Sequence, residues 1–187
     1  GSHSLKGNKI DADGFVCDKC NQNLWVYTAD CLPIFFADKK TRTVAALHCG
    51  RKGLEKRIIK NLVKFFDDLG TSRDDLLVAI GPAISKRNYF VDKNTLKEFY
   101  RKAENNEFEI HISKTKKNFH FSVLNKLKEE NLNQIDLRRC AHRQLLNENI
   151  LNTNIDISNL CTYELKNEFN SWRRNKTISR QWSFICS

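Results

Sequence analysis

Apolar residues in this chain recur at two spacings, and the change from one to the other marks out the elements. Residues 34–37 and 43–48 are apolar runs on either side of a polar stretch, 38–42, which is the pattern of a hairpin. With the turn centred near Lys40, residues whose numbers sum to about 80 face each other. That pairing sets Cys31 opposite Cys49 and beside His48. The spacing then lengthens to that of a helix. Leu54, Ile58, Leu62, Phe65, Phe66 and Leu69 form an apolar stripe, Lys56, Arg57, Lys60 and Lys64 take the wet side, and Gly70 follows as a cap. Residues 76–80 read as a continuous apolar strand ended by Gly81 and Pro82.

The remaining elements are shorter. Residues 10–18 read as a turn leading into a strand, 24–28 as a strand, and 88–91 as a short edge strand. Residues 94–103 make an amphipathic helix. Residues 104–118 are polar and predict a loop. Residues 119–130 and 136–147 predict helices, the second packing Leu137, Ala141, Leu145 and Leu146 inward. Residues 155–157 and 181–186 read as strands. Strands and helices mix without a strict βαβ period, so the expected class is α+β, a mixed sheet with flanking helices.

Composition narrows the class further. A chain of 187 residues with 40% hydrophobic content and 12 Phe is long enough to bury a core as one domain. Apolar runs stay well short of the ~18 residues of a membrane span, and a secretory signal is not visible. The net charge of +10 is carried by dispersed Lys residues, without a basic stripe interleaved with aromatics. Neither a nucleic-acid nor a membrane partner is therefore expected. Seven Cys, an odd number, point to reduced thiols in a cytoplasmic setting. Residues 1–3 read as a tag remnant, and the lack of Met suggests an N-terminal truncation.

Cys31 and His48 are the residue types that bind zinc or copper. Two ligands are too few for a tight site, so a third is required. Asp30 is either a carboxylate that orients His48 or a turn residue, and the turn reading is favoured. Cys17 and Cys20 have CxxC spacing but lack a second ligand pair at zinc-finger distance. The glycines at 50 and 53 precede a helix, and a helix N-terminus attracts anions. Arg173 and Arg174 are either a guanidinium clamp for phosphate or a surface basic patch.

Several blocks resemble, in order, those of the YfiH-type laccase-domain family, whose members have been named multicopper polyphenol oxidases and purine nucleoside phosphorylases. They are Asp11-Ala-Asp-Gly-Phe-Val, Thr28-Ala-Asp-Cys-Leu-Pro, Leu47-His-Cys-Gly-Arg-Lys-Gly, Gly81-Pro-Ala-Ile, Cys161-Thr-Tyr, residues 169–174 and residues 180–185. The Thr28 block is the most specific. The resemblance implies a YfiH-like fold over residues 4–187, lacking its N-terminal part. It also implies a His-Cys-His zinc triad, in which Cys31 and His48 are two of the ligands and the third lies N-terminal to this chain. It further implies phosphorolysis of a purine nucleoside (adenosine, inosine, guanosine or methylthioadenosine), with adenosine deamination as a further activity. Catalytic roles then fall to Cys31, His48 and Arg174, with Arg173, Arg174 and Gly50 at the phosphate. Arg51 and Lys52 depart from the family's Trp-Arg, and the region 104–135 diverges. A copper-dependent polyphenol oxidase is the alternative, set lower because five His are too few for a multicopper cluster. A binding module without chemistry is the third reading. Oligomeric state is not legible.

Overall fold

The computed structural model describes residues 12–103, 133–176 and 178–187. Five strands form one sheet: β1 (Gly14–Cys17), β3 (Leu32–Asp38), β4 (Val44–Cys49), β5 (Leu76–Ile80) and β6 (Ile155–Ile157), in the order β1-β4-β3-β5-β6. Among the strands of the described residues only β5 and β6 pair in parallel, so the sheet is mixed as expected. A separate ribbon pairs β2 (Asn23–Thr28) with β7 (Gln181–Cys186). Among the described residues the α-helices are α1 (Arg51–Glu55), α2 (Ile58–Asp68), α3 (Lys93–Ala103), α4 (Leu137–Asn147) and the single turn α5 (Trp172–Asn175). Together they make an α+β fold with helices flanking the sheet.

Alternation along the strands puts one face of the sheet against the helices. Leu32, Ile34 and Phe36 of β3 and Ala45, Leu47 and Cys49 of β4 are buried there with Val78 and Ile80 of β5. They pack on Leu54 of α1, Ile59, Val63 and Phe66 of α2, Phe99 of α3, and Ala141 and Leu145 of α4. On α4, Cys140 and Gln144 turn inward, while Leu146, expected in the core, is 39% exposed.

The β3–β4 hairpin forms with its register one residue from expectation. Ile34 faces Leu47 and Leu32 faces Cys49, because the loop is the four residues between Asp38 and Thr43 and is not centred on Lys40. The Asp38 carboxylate builds that loop. It accepts from the Lys40 amide at 2.8 Å, and from the hydroxyls of Thr41 at 2.8 Å and Thr71 at 2.7 Å. Since side chains alternate with period two, the shift moves Cys31 from a position opposite core-facing Cys49 to the face that carries Pro33 and His48.

The helix expected over 54–69 is two helices. Arg57 takes left-handed dihedrals (φ 55°, ψ 45°) between α1 and α2. The break lets both Leu54 and Ile59 reach the core. Buried Gln144 donates to the Leu54 carbonyl at 3.0 Å and to the Ala103 carbonyl at 2.9 Å, so backbone groups at two helix ends gain a partner. In place of an edge strand over 88–91, residues Lys86–Asn88 form a 3-10 turn and Phe90 alone bridges to Gln134. The expected loop over 104–118, the helix over 119–130, Asp11 and the tag-like residues 1–3 lie outside the described residues.

Candidate functional site

The sheet face away from the helices looks toward the β2–β7 ribbon, and a cleft of ≈ 510 Å³ is lined from both. Phe15, Ala46 and His48 come from the sheet, and Trp25, Tyr27 and Thr28 from the ribbon. Ala29, Asp30 and Cys31 line it from the β2–β3 turn. Tyr89, Trp172, Arg173 and Arg180 complete the wall. The ribbon carries an exposed aromatic row, with the rings of Trp25 and Phe184 4.6 Å apart and those of Tyr27 and Trp182 5.0 Å apart.

The corrected register brings Cys31 and His48 into this cleft together. Gly50, which follows β4, makes room for the thiol: a Cβ there would lie 2.6 Å from Cys31 Sγ. Burial pushes the Cys31 thiol up to about 11; Asp30 and Asp13 add to the shift and Arg180 opposes it. The metal-free protein at neutral pH therefore holds a thiol, not a thiolate, and a metal bound by Cys31 displaces its proton.

His48 is held by Asp13. Its Nδ1 lies 2.9 Å from Asp13 Oδ1, and its backbone amide donates to the Asp13 carbonyl at 2.8 Å. An Nδ1–H given to the carboxylate leaves the Nε2 lone pair available to a metal or a proton. Asp13 is the functional residue that sequence reasoning missed. Its signal was an acidic residue directly before Gly14, at the start of a strand. A Cβ on Gly14 would meet Leu47 at 2.6 Å, so the glycine permits the close approach of β1 to β4 that brings Asp13 to His48.

Asp30 does not orient His48. Its carboxylate accepts from the Thr162 hydroxyl at 2.8 Å and the Arg173 amide at 2.7 Å. The two arginines divide. Arg174 sends its guanidinium to the carbonyls of Thr162 (2.8 Å), Tyr163 (2.7 Å) and Phe169 (2.8 Å), where it fastens loops together and does not line the cleft. Arg173 lines the cleft with its guanidinium 5.0 Å from the centre of the Tyr89 ring. The helix after Gly50 is only five residues long, so it supplies little dipole to an anion. Arg51 is ion-paired to Glu55. Cys17 is buried with its sulfur accepting from the Lys19 amide, Cys20 is exposed, and both are free thiols, so the CxxC spacing builds nothing.

In kind, Cys31 and His48 suit zinc: a thiol that can ionise on binding, and an imidazole backed by a carboxylate. In number they fall short, since the described residues contain no group of three or more His, Cys, Asp or Glu able to hold a metal ion. A multicopper cluster needs several imidazoles, and among the described residues lining the cleft His48 is the single histidine. Among the described residues no helix is long and apolar enough to cross a membrane.

The raised Cys31 value is testable in the metal-free protein. Alkylation of Cys31 by iodoacetamide, followed by mass spectrometry of its peptide, is expected to be slow at pH 7. It should rise about tenfold per pH unit and level off near 11. A plateau at pH 8 would refute the burial argument.

A family model described as multi-copper polyphenol oxidoreductase laccase matches residues 2–187. A purine nucleoside phosphorylase of Synechocystis is 32% identical over 183 residues, covering 94% of this chain and 68% of that protein. A purine nucleoside phosphorylase of Bacteroides thetaiotaomicron is 30% identical over 152 residues, covering 81% of this chain and 51% of that protein. Among solved structures, the hypothetical protein YfiH of Bacillus licheniformis superposes with a TM-score of 0.74 at 26% identity, over 93% of this chain and 61% of that one. YlmD of Geobacillus stearothermophilus gives 0.73 at 25% identity, over 94% of this chain and 61% of its own. The chain thus spans about three fifths of these solved structures. On the family match and the shared fold, with Cys31 and His48 side by side in the cleft, the chain belongs to the YfiH-type family of multi-copper polyphenol oxidoreductase laccase proteins.

Proposed function

We propose that the cleft binds a purine nucleoside and cleaves its glycosidic bond with phosphate. One observation carries the reading: Cys31 and the Asp13-held His48 share a single cleft with aromatic rings and with the guanidinium of Arg173. A purine stacks on the aromatic walls. Phosphate, a doubly charged oxyanion, pairs with Arg173, and Arg174 is left to hold the loop. A phosphate oxygen attacks the anomeric carbon, the purine leaves with the bonding electrons and takes up the proton that the hydrogen phosphate gives up, and a sugar 1-phosphate results. Asp13 keeps His48 in the tautomer with Nε2 open. Cys31 and His48 would hold a zinc ion, which supplies Lewis acidity when bound. Support also comes from the two relatives named purine nucleoside phosphorylases.

Incubating the zinc-loaded protein with inosine and phosphate is expected to release hypoxanthine, seen by chromatography, and to release none without phosphate. Ammonia from adenosine without phosphate measures deamination. If neither product forms, the phosphorylase reading fails. The description of the matching family model favours a second reading, copper-dependent oxidation of phenols, and the aromatic walls would accept a phenol ring equally well. Oxygen uptake with a diphenol and added copper, in place of base release, would establish it. Inosine bound without turnover under both conditions leaves a binding module.

A further inference from the structure

Arg173 and Arg174 are adjacent on the one-turn helix α5, and successive helical side chains diverge by about 100°. The rotation of α5 therefore decides which guanidinium faces the cleft. Arg174 fixes that rotation from the loop side through three carbonyls. From the cleft side, among the described residues, the α5 backbone is held by the Arg173 amide, which donates to Asp30 Oδ2 at 2.7 Å. The other oxygen of Asp30 holds Thr162, which is wholly buried, and the Asp30 carbonyl accepts from Ile84 at 3.0 Å. Asp30 is thus anchored on two further segments while it holds the helix, and its chain neighbour is Cys31.

We propose that Asp30 is a positioning residue that aims the Arg173 guanidinium into the cleft, and so sets the affinity for the oxyanion co-substrate. The anion role of Arg173 rests on the function proposed above; the aiming of Arg173 by Asp30 does not. A carboxylate suits the task, since an amide hydrogen bond to a charged acceptor is stronger and more directional than one to a neutral group.

Asp30→Ala is expected to raise the KM for phosphate at least tenfold while the KM for inosine stays within twofold. Asp30→Asn is expected to restore most of the loss. Its amide oxygen can face the Arg173 N–H while its NH₂ faces the Thr162 hydroxyl, which accepts as well as donates. Thr162→Val, which removes only the anchoring bond, should lower the melting temperature and leave the phosphate KM within threefold of wild type. An equal rise in the KM of both substrates in Asp30→Ala, or a rise in Thr162→Val as large as in Asp30→Ala, would overturn the proposal. Hydrogen exchange of the Arg173 amide provides a readout that needs no turnover. It should be slow in the wild type, at least 100-fold faster in Asp30→Ala and slow again in Asp30→Asn. Exchange in Asp30→Ala within threefold of wild type overturns the proposal. If wild-type protein fails to cleave inosine but the exchange pattern is found, the phosphorylase reading falls and the positioning role stands. Asp30→Ser, whose hydroxyl stops short of the Arg173 amide, replaces the alanine variant if that does not fold.

Discussion

Replacing Gly50 by alanine is expected to lower the phosphorolysis proposed above at least a hundredfold and to weaken the proposed zinc binding by Cys31 and His48. The added methyl would sit 2.6 Å from Cys31 Sγ, well inside the ~3.5–4 Å of ordinary contact between non-bonded atoms. The backbone at Gly50 (φ −89°) suits any residue, so the cost is purely steric. Either the thiol rotates out of the cleft, or the ends of β3 and β4 are pushed apart. Overpacking of this kind costs about 1–3 kcal/mol of stability. The pair Gly50→Ala with Cys31→Ala separates the two effects. Removing the sulfur frees the space that the methyl needs, so the double variant should regain most of the lost stability while remaining inactive. Urea melts and metal analysis read the two outcomes. A Gly50→Ala protein with wild-type activity would show that the Cys31 sulfur has no role in the cleft.

Phe36→Ala is expected to cost about 3–5 kcal/mol, read as a shift of the urea midpoint. Phe36 is fully buried in the middle of β3, stacked on Phe66 of α2 with ring centres 6.3 Å apart. It is therefore one of the contacts that seat the hairpin carrying the site on the helices. Against a total stability of about 5–15 kcal/mol, that loss is a large share. Phe35, next in sequence, points to the opposite face and is only partly buried, so Phe35→Ala should cost clearly less. Equal losses for the two would mean that the sheet is not seated on the helices through one face.

The elements that sequence patterning found are strands that are apolar runs between polar turns and helices with one apolar face. β3, β4, β5, α3 and α4 all fall within a few residues of expectation. The hairpin register slipped because its loop length depends on what Asp38 binds, including Thr71, a residue far along the chain. The helix break at Arg57 was invisible because the apolar stripe runs through it unbroken, and only tertiary packing rewards the left-handed residue. At the site, the types and spacing of Cys31 and His48 were legible. Asp13 was not singled out, because its value lies in the approach of β1 to β4 and not in any local pattern. The choice between Arg173 and Arg174 could not be read from a run of two like residues. Bonds to segments elsewhere in the chain make that choice.

The β2–β7 ribbon has a consequence for how the site comes into being. Gln22 and Ser187, at one end of the pair, are 165 positions apart, and the six strand pairings beyond them join similarly distant segments. Closing so long a loop carries an entropic cost that grows as about (3/2)RT ln n and must be met before the contacts it permits can form. Contacts of such separation also form slowly. On a ribosome, β2 emerges before β7 and waits, its Trp25 and Tyr27 unmatched, until β7 has been made. The hairpin with Cys31 and His48 can be seated on its helices by then, but the β2 wall of the cleft still lacks its pairing strand. The cleft is thus complete only once β7 is made, and a nascent chain stalled before residue 181 would carry Cys31 and His48 beside a β2 strand that lacks its partner.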